Sequence, residues 1–214
     1  MTAGTDSSST EPSSAGRPGD GAQTRERIAV MVGSTRPKRI CRGIAEWVRD
    51  AAQEDSPLSY ELVDLAEIGL PFLDEPLKAA LREYEHEHTH AWSRTVSSYS
   101  GFVFVFPQYN WGYPAPLKNA LDFLYYEWHD RPATTVTYGT RGGNRGAQQL
   151  HGVLEGLHMR PLKDRIEIVI TDDDVDEDWQ LRDLDATLHP CLAQVRQLDA
   201  QLVEALSLTV KASA

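Results

Sequence analysis

The chain has 214 residues and a formal net charge of -11, from 32 Asp and Glu against 21 Lys and Arg. At 41% hydrophobic and 25% charged it has an ordinary globular composition, long enough for one large domain that needs no disulfide or structural metal to fold. So acidic a chain lacks the basic face that nucleic acid and anionic membranes require, and neither is an expected partner.

The first 26 residues, Met1 to Glu26, are rich in Ser, Thr, Gly, Pro and Ala and read as a disordered tail. They hold no apolar core of the roughly 7–15 residues a signal peptide needs. No stretch reaches the roughly 18 apolar residues of a membrane span, so the expected location is the cytoplasm. The run Ile28-Ala29-Val30-Met31-Val32 then reads as a strand ending at Gly33. Ile44, Trp47, Val48 and Ala51 predict a helix over residues 40–53, and residues 60–65 predict a second strand. Two prolines mark residues 70–76 as a loop, and residues 83–98 read as helix. Phe102-Val103-Phe104-Val105-Phe106 is apolar on both faces, the mark of a central parallel strand covered on both sides. Leu117, Ala120, Leu121 and Leu124 predict a helix begun by Pro116. A β-branched strand follows at residues 134–138, then a helical stripe through Ala147, Leu150, Leu154 and Leu157, then a last strand at residues 165–170. An acidic run, residues 172–178, precedes a leucine-rich helical region that Pro190 divides in two.

Five strands interleaved with helices predict an α/β fold. Its open parallel sheet is covered by helices on both faces, and its commonest five-strand order is 2-1-3-4-5, the flavodoxin-like order. Ligands of such sheets sit at the carboxyl ends of the strands, where the winding direction switches. The loops after strands one, three and four are therefore the place to look.

The first loop is Gly33-Ser34-Thr35-Arg36-Pro37-Lys38-Arg39 at a helix N-terminus. Hydroxyls, unpaired N–H groups and the cations Arg36, Lys38, Arg39 and Arg42 suit a phosphate there. The second is Pro107-Gln108-Tyr109-Asn110-Trp111-Gly112-Tyr113-Pro114, an aromatic edge for a flat ring. The third is Gly139-Thr140-Arg141-Gly142-Gly143-Asn144-Arg145-Gly146, whose glycines let backbone N–H groups approach a ligand. It is neither a Walker A loop nor a dinucleotide fingerprint. A phosphate cradle, an aromatic edge and a glycine platform together describe FMN.

Two histidines, His86 and His90, would share a helical face as a start for a metal site, but no third ligand accompanies them; a solvated helix start is expected instead. The acidic run lacks the EF-hand spacing and reads as a solvated loop or a partner-subunit contact. Cys41 and Cys191 fit no CxxC pattern and are expected as free thiols half-buried in helices.

Gly33-Ser34-Thr35-Arg36, Pro107-Gln108-Tyr109-Asn110, Tyr113-Pro114 and Leu117-Lys118-Asn119-Ala120-Leu121-Asp122 resemble the NAD(P)H-dependent FMN reductase family, which includes flavin, quinone, azo-dye and chromate reductases. The resemblance runs from about Ile28 to Ile170. It implies that Ser34, Thr35, Arg36 and Arg39 hold the FMN phosphate. Pro107, Gln108, Tyr109, Asn110 and Trp111 would border the flavin ring, with Gly139, Arg141, Gly142 and Gly143 at its other edge. It implies NAD(P)H as a transient hydride donor, a small-molecule acceptor, and a homodimer or homotetramer formed through the helix starting at Leu117. Residues 27–175 would form the FMN-binding domain, with residues 176–208 a helical extension of it. Many members carry Glu where Gln108 stands and a small residue where Trp111 stands. The expected function is an FMN-dependent oxidoreductase of the flavin, quinone or azo type. One alternative is a dehydrogenase for a dedicated cyclic metabolite such as 2-amino-4-deoxychorismate in bacterial secondary metabolism; another is a non-catalytic flavin-binding electron-transfer module. The chemistry demands no catalytic side chain, and none is assigned.

Overall fold

The computed structural model describes residue 1 and residues 25–212, with side chains through residue 208. The expected N-terminal tail lies outside the described residues apart from its two ends. Among the described residues six strands form one sheet: β1 (Arg27–Val32), β2 (Ser59–Asp64), β3 (Gly101–Pro107), β4 (Pro132–Gly139), β5 (Arg160–Pro161) and β6 (Ile166–Val169). Every pairing is parallel, in the order β2-β1-β3-β4-β5, with β6 also against β4. The expected order is therefore present; the expected last strand, residues 165–170, is β6, and a further two-residue strand, β5, precedes it on the same side of β4. β5 lies beside Pro132 and Ala133, and β6 beside residues 136–139 of β4. Between them the chain leaves the ladder, held by the Thr134 hydroxyl donating to the Asp164 carbonyl at 2.9 Å.

The α-helices of the described residues connect and cover the strands: α1 (Cys41–Gln53), α2 (Leu65–Ile68), α3 (Glu87–Ser97), α4 (Ala115–Asp122), α5 (Asn144–Gly156), α6 (Leu184–Leu188) and α7 (Leu192–Ala212). Successive strand residues point to opposite faces. Ile28, Val30, Val32, Val103 and Val105 pack with Ile44 and Val48 of α1 and Val195, Leu198 and Leu202 of α7. Ala29, Met31, Phe102, Phe104 and Phe106 pack with Trp92 of α3, Leu117 and Leu121 of α4, and Leu150 and Leu154 of α5. Both faces of β3 are thus sealed, which is why its sequence is continuously apolar.

Several boundaries differ from expectation for local reasons. β2 stops at Asp64, whose carboxylate accepts from the Ala66 amide at 3.0 Å and starts α2. α3 begins at Glu87 rather than at residue 83, because Arg82 is left-handed (φ 57) and the Glu75 carboxylate holds the Glu85 and His86 amides at 2.8 and 3.1 Å. His86 therefore precedes the helix and stacks on His88, while His90 edges Tyr84. Among the described residues no group of three His, Cys, Asp or Glu is placed to hold a metal. Pro190 lies in the tight turn His189–Cys191 between α6 and α7. Cys41, at the start of α1, is fully buried rather than half-buried, whereas Cys191 is half-buried in the short 3-10 helix His189–Cys191, as expected.

Candidate functional site at the carboxyl ends of the strands

β1 and β3 are neighbours, and the loops that leave them run to opposite faces of the sheet, which opens a crevice at this point. Gly33 ends β1, its amide donating to the Val105 carbonyl at 2.8 Å. A Cβ at Gly33 would stand 3.0 Å from the Phe106 Cβ and 3.1 Å from the Val105 carbonyl, so glycine alone allows β1 to run this close. Ser34 is fully buried, with its Oγ 2.9 Å from the Tyr109 hydroxyl and accepting from the Arg36 amide at 3.4 Å. α1 then starts without any capping side chain, leaving its first N–H groups for an anion.

The three cations of this loop, and Arg42 in α1, are less exposed to a ligand than their sequence suggests. Arg39 Nη2 donates to Asp64 Oδ2 at 2.5 Å, and Arg42 Nη1 donates to the same oxygen at 3.1 Å. Lys38 pairs with Asp178 at 2.9 Å. Among the described residues Arg36 makes no ion pair. Arg39 Nε is buried and has no hydrogen-bond partner among the described residues. A buried, unpartnered N–H on a cation is costly, and an anionic oxygen would satisfy it.

A cavity of about 440 Å³ opens beside this loop. Its walls hold Arg36, Arg39, Pro107, Gln108, Tyr109 and Gly139 of the expected set. They also hold Tyr138, Thr140, Val175, Glu177, Asp178 and Trp179, which the sequence reading left out. Gly139 has φ 155 and nothing within 4 Å of where a Cβ would stand, so it keeps that wall open. Tyr138 lies over Cys41, whose thiol donates to the Val105 carbonyl at 3.2 Å. Burial pushes the Cys41 thiol up to about 11 and raises the Tyr138 phenol as well. Both stay neutral beneath the cavity.

The remaining expected residues stand elsewhere around this crevice. Thr35 lines a second cavity of about 550 Å³, with Leu65, Leu70, Phe72, Pro116 and Asn119. Asn110 and Trp111 form the tip of a tight hairpin, both at positive φ (46 and 70), closed by paired bonds between Tyr109 and Gly112 at 2.8 and 2.9 Å. Trp111 is exposed and lies under the Arg145 guanidinium, 3.7 Å from ring centroid to carbon. Arg141 is exposed. Gly142 and Gly143 have φ 72 and 83, and a Cβ on Gly143 would stand 2.8 Å from the Thr137 Cβ. These two glycines let α5 start directly against β4. Gln108 Oε1 accepts from the Arg145 and Gly146 amides at 3.0 and 3.1 Å, so the aromatic loop caps the helix that follows the glycine loop.

Asp64 was legible only as a strand end, since nothing in its local pattern announces two arginine partners. The acidic run is largely exposed, as a solvated loop would be, and its Asp178 also pairs with Lys38 of the chain's own loop after β1 at 2.9 Å.

The model of the NADPH-dependent FMN reductase family matches residues 27–170. The NAD(P)H-dependent FMN reductase of Saccharomyces cerevisiae is 44% identical over 144 residues, covering 62% of this chain and 75% of the relative. That of Schizosaccharomyces pombe is 46% identical over 136 residues, covering 63% and 68%. Among solved structures, a flavoenzyme NAD(P)H:acceptor oxidoreductase from Paracoccus denitrificans superposes with a TM-score of 0.65 at 20% identity, covering 84% of this chain and 98% of that one, a likeness of fold.

Proposed function

The chain belongs to the NADPH-dependent FMN reductase family, and from that premise we propose that it is an FMN-dependent oxidoreductase passing hydride from NAD(P)H to a small organic acceptor of the flavin, quinone or azo type. The observation that carries this reading is the buried, unpartnered Arg39 Nε beside an uncapped helix N-terminus, on the wall of a cavity bordered by Pro107 and Tyr109. FMN, when bound, supplies the hydride chemistry, and the chain supplies binding, orientation and electrostatics.

In this proposal Arg36, Arg39, Ser34, Thr35 and the α1 amides receive the phosphate. Pro107, Gln108, Tyr109, Asn110 and Trp111 border the ring, and Gly139, Arg141, Gly142 and Gly143 bound its other edge. Asp64 orients Arg39 by fixing one of its nitrogens, leaving Nε toward the ligand. The neutral Tyr138 and Cys41 place no competing anion under the site.

We further propose a homodimer or homotetramer built on α4 and the segment before it. That segment runs between α2 and α3: Phe72 is 86% exposed, and Leu73, Leu77 and Leu81 after it are exposed too. Asn119 of α4 holds this segment through the Pro71 carbonyl at 2.7 Å and the Leu73 amide at 3.0 Å. Two free thiols suit the cytoplasm. The deciding experiment is an anaerobic spectral titration of the purified protein with NADH and NADPH. A yellow protein bleached by either supports the reading. Yellow protein bleached by neither, but reduced by a carboxylated cyclohexadiene, would move the assignment to a dedicated metabolite dehydrogenase.

A further inference from the structure

Residues 171–182 follow β6 and lie beyond the family-matched segment, which ends at residue 170. They form a built turn. Val175 is buried in the core beside α1 and pairs with Leu181 in an antiparallel bridge. Asp176 Oδ1 accepts from the Asp178 and Gln180 amides, both at 2.9 Å, and the Trp179 amide donates to the Asp176 carbonyl at 3.1 Å. This network holds Trp179 at φ 61, a left-handed backbone that a bulky residue adopts only when its surroundings impose it. The turn is tied to the phosphate loop twice. Asp178 pairs with Lys38 at 2.9 Å, and the Gln180 amide group donates to the Lys38 carbonyl at 2.9 Å. Lys38 is itself left-handed at φ 57.

The outcome is that Glu177, Asp178 and Trp179 stand exposed on the wall of the same cavity that Pro107, Gln108 and Tyr109 line. Lys38 offsets the charge of Asp178, whereas Glu177 makes no ion pair among the described residues. Trp179 is 63% exposed, so its flat apolar ring is open to solvent at the cavity rim.

We propose that this turn is the substrate-selecting wall of the enzyme: Trp179 offers a stacking face and Glu177 a negative charge, so flat neutral or cationic acceptors of the quinone class are preferred over anionic ones. The inference rests on the flavin-enzyme reading above and deepens it. An unpaired charge at a solvated rim changes the affinity of a singly charged ligand roughly threefold to tenfold at low salt. An aromatic contact adds roughly a fivefold effect.

The test is equilibrium binding to the oxidised holoenzyme, read by perturbation of the flavin spectrum. The probes are a neutral hydroxymethyl anthraquinone and the corresponding sulfonate, each at low and high salt. Wild type should bind the neutral quinone more tightly, and salt should shrink the margin. Glu177→Gln should cut the margin roughly threefold or more at low salt. Trp179→Ala should weaken both quinones roughly fivefold and leave the margin in place. A margin insensitive to salt and to Glu177→Gln would overturn the inference. So would a change in FMN affinity in Glu177→Gln with an unchanged margin, because the wall would then face the flavin and not the acceptor. In either case the wild-type protein still carries FMN and is bleached by nicotinamide. A protein that takes up no FMN fails the underlying reading itself, and the inference with it.

Discussion

At Arg39 one nitrogen is engaged by Asp64 while Nε stays buried without a partner. A charge-assisted hydrogen bond contributes about 1.5–3 kcal/mol. Arg39→Ala should therefore weaken FMN binding at least roughly tenfold, measured by fluorescence titration of the apoprotein. Arg39→Lys should rescue little, since an ammonium cannot serve Asp64 and a phosphate with the same fork. Unchanged flavin affinity in Arg39→Ala would remove the assigned role. Cys41 gives a second prediction at this scale. Its ordinary value near 9 is raised to about 11 in the folded protein, so the native state holds a proton that the unfolded state loses. Stability from this group is complete below pH 9 and is lost as pH rises toward 11, with a slope of about 1.4 kcal/mol per pH unit. Denaturant titrations should show that decline, and Cys41→Ala should remove it between about pH 9 and 10, above which the buried phenols of Tyr60 and Tyr138, raised by burial, add to the loss of stability. At about pH 8 an alkylating reagent should reach Cys191 and spare Cys41 until the protein unfolds.

Gln108 joins two elements, because its side chain caps the first amides of α5. Gln108→Ala should lower unfolding free energy by about 1 kcal/mol, and Gln108→Glu should retain most of it because a carboxylate still accepts and favours the helix dipole. Urea unfolding distinguishes the two. Gly143→Ala should cost more, about 2 kcal/mol or above, since it combines φ 83 with a methyl 2.8 Å from the Thr137 Cβ. At this scale the strands were the most legible parts of the sequence, because Phe102-Val103-Phe104-Val105-Phe106 and Ile28-Ala29-Val30-Met31-Val32 state their burial directly. What escaped was set by single side chains acting across space. Glu75 delays α3, Asp64 stops β2, and Asp176 folds the acidic run into a turn. None of these leaves a periodic trace. The three loops at the carboxyl ends of β1, β3 and β4 were legible from composition, but Gly142 and Gly143 have a packing reason that only the contact with β4 and β6 reveals.

For the molecule as a whole, helices on the two faces bury separate halves of each strand, and α7 completes one of them through Val195, Leu198 and Leu202. Leu202→Ala should cost about 2–5 kcal/mol, as for other fully buried leucines, and lower the thermal midpoint in a calorimetric scan. The exposed side chains near α4 bear on assembly. Phe72→Glu should shift sedimentation toward the monomer while leaving the circular dichroism of the fold unchanged, since Phe72 is 86% exposed. A retained oligomer would place the subunit contact elsewhere. The division of the outermost border between two short strands has its own effect. Along that border β5 offers two residues and β6 four, and between them Asp164 is held by Gln197 and Gln201 of α7 at 2.6 and 2.7 Å. A foreign polypeptide therefore finds no long row of unsatisfied amides there to zip onto, so this margin of the protein is guarded against the edge-to-edge stacking that seeds fibrils.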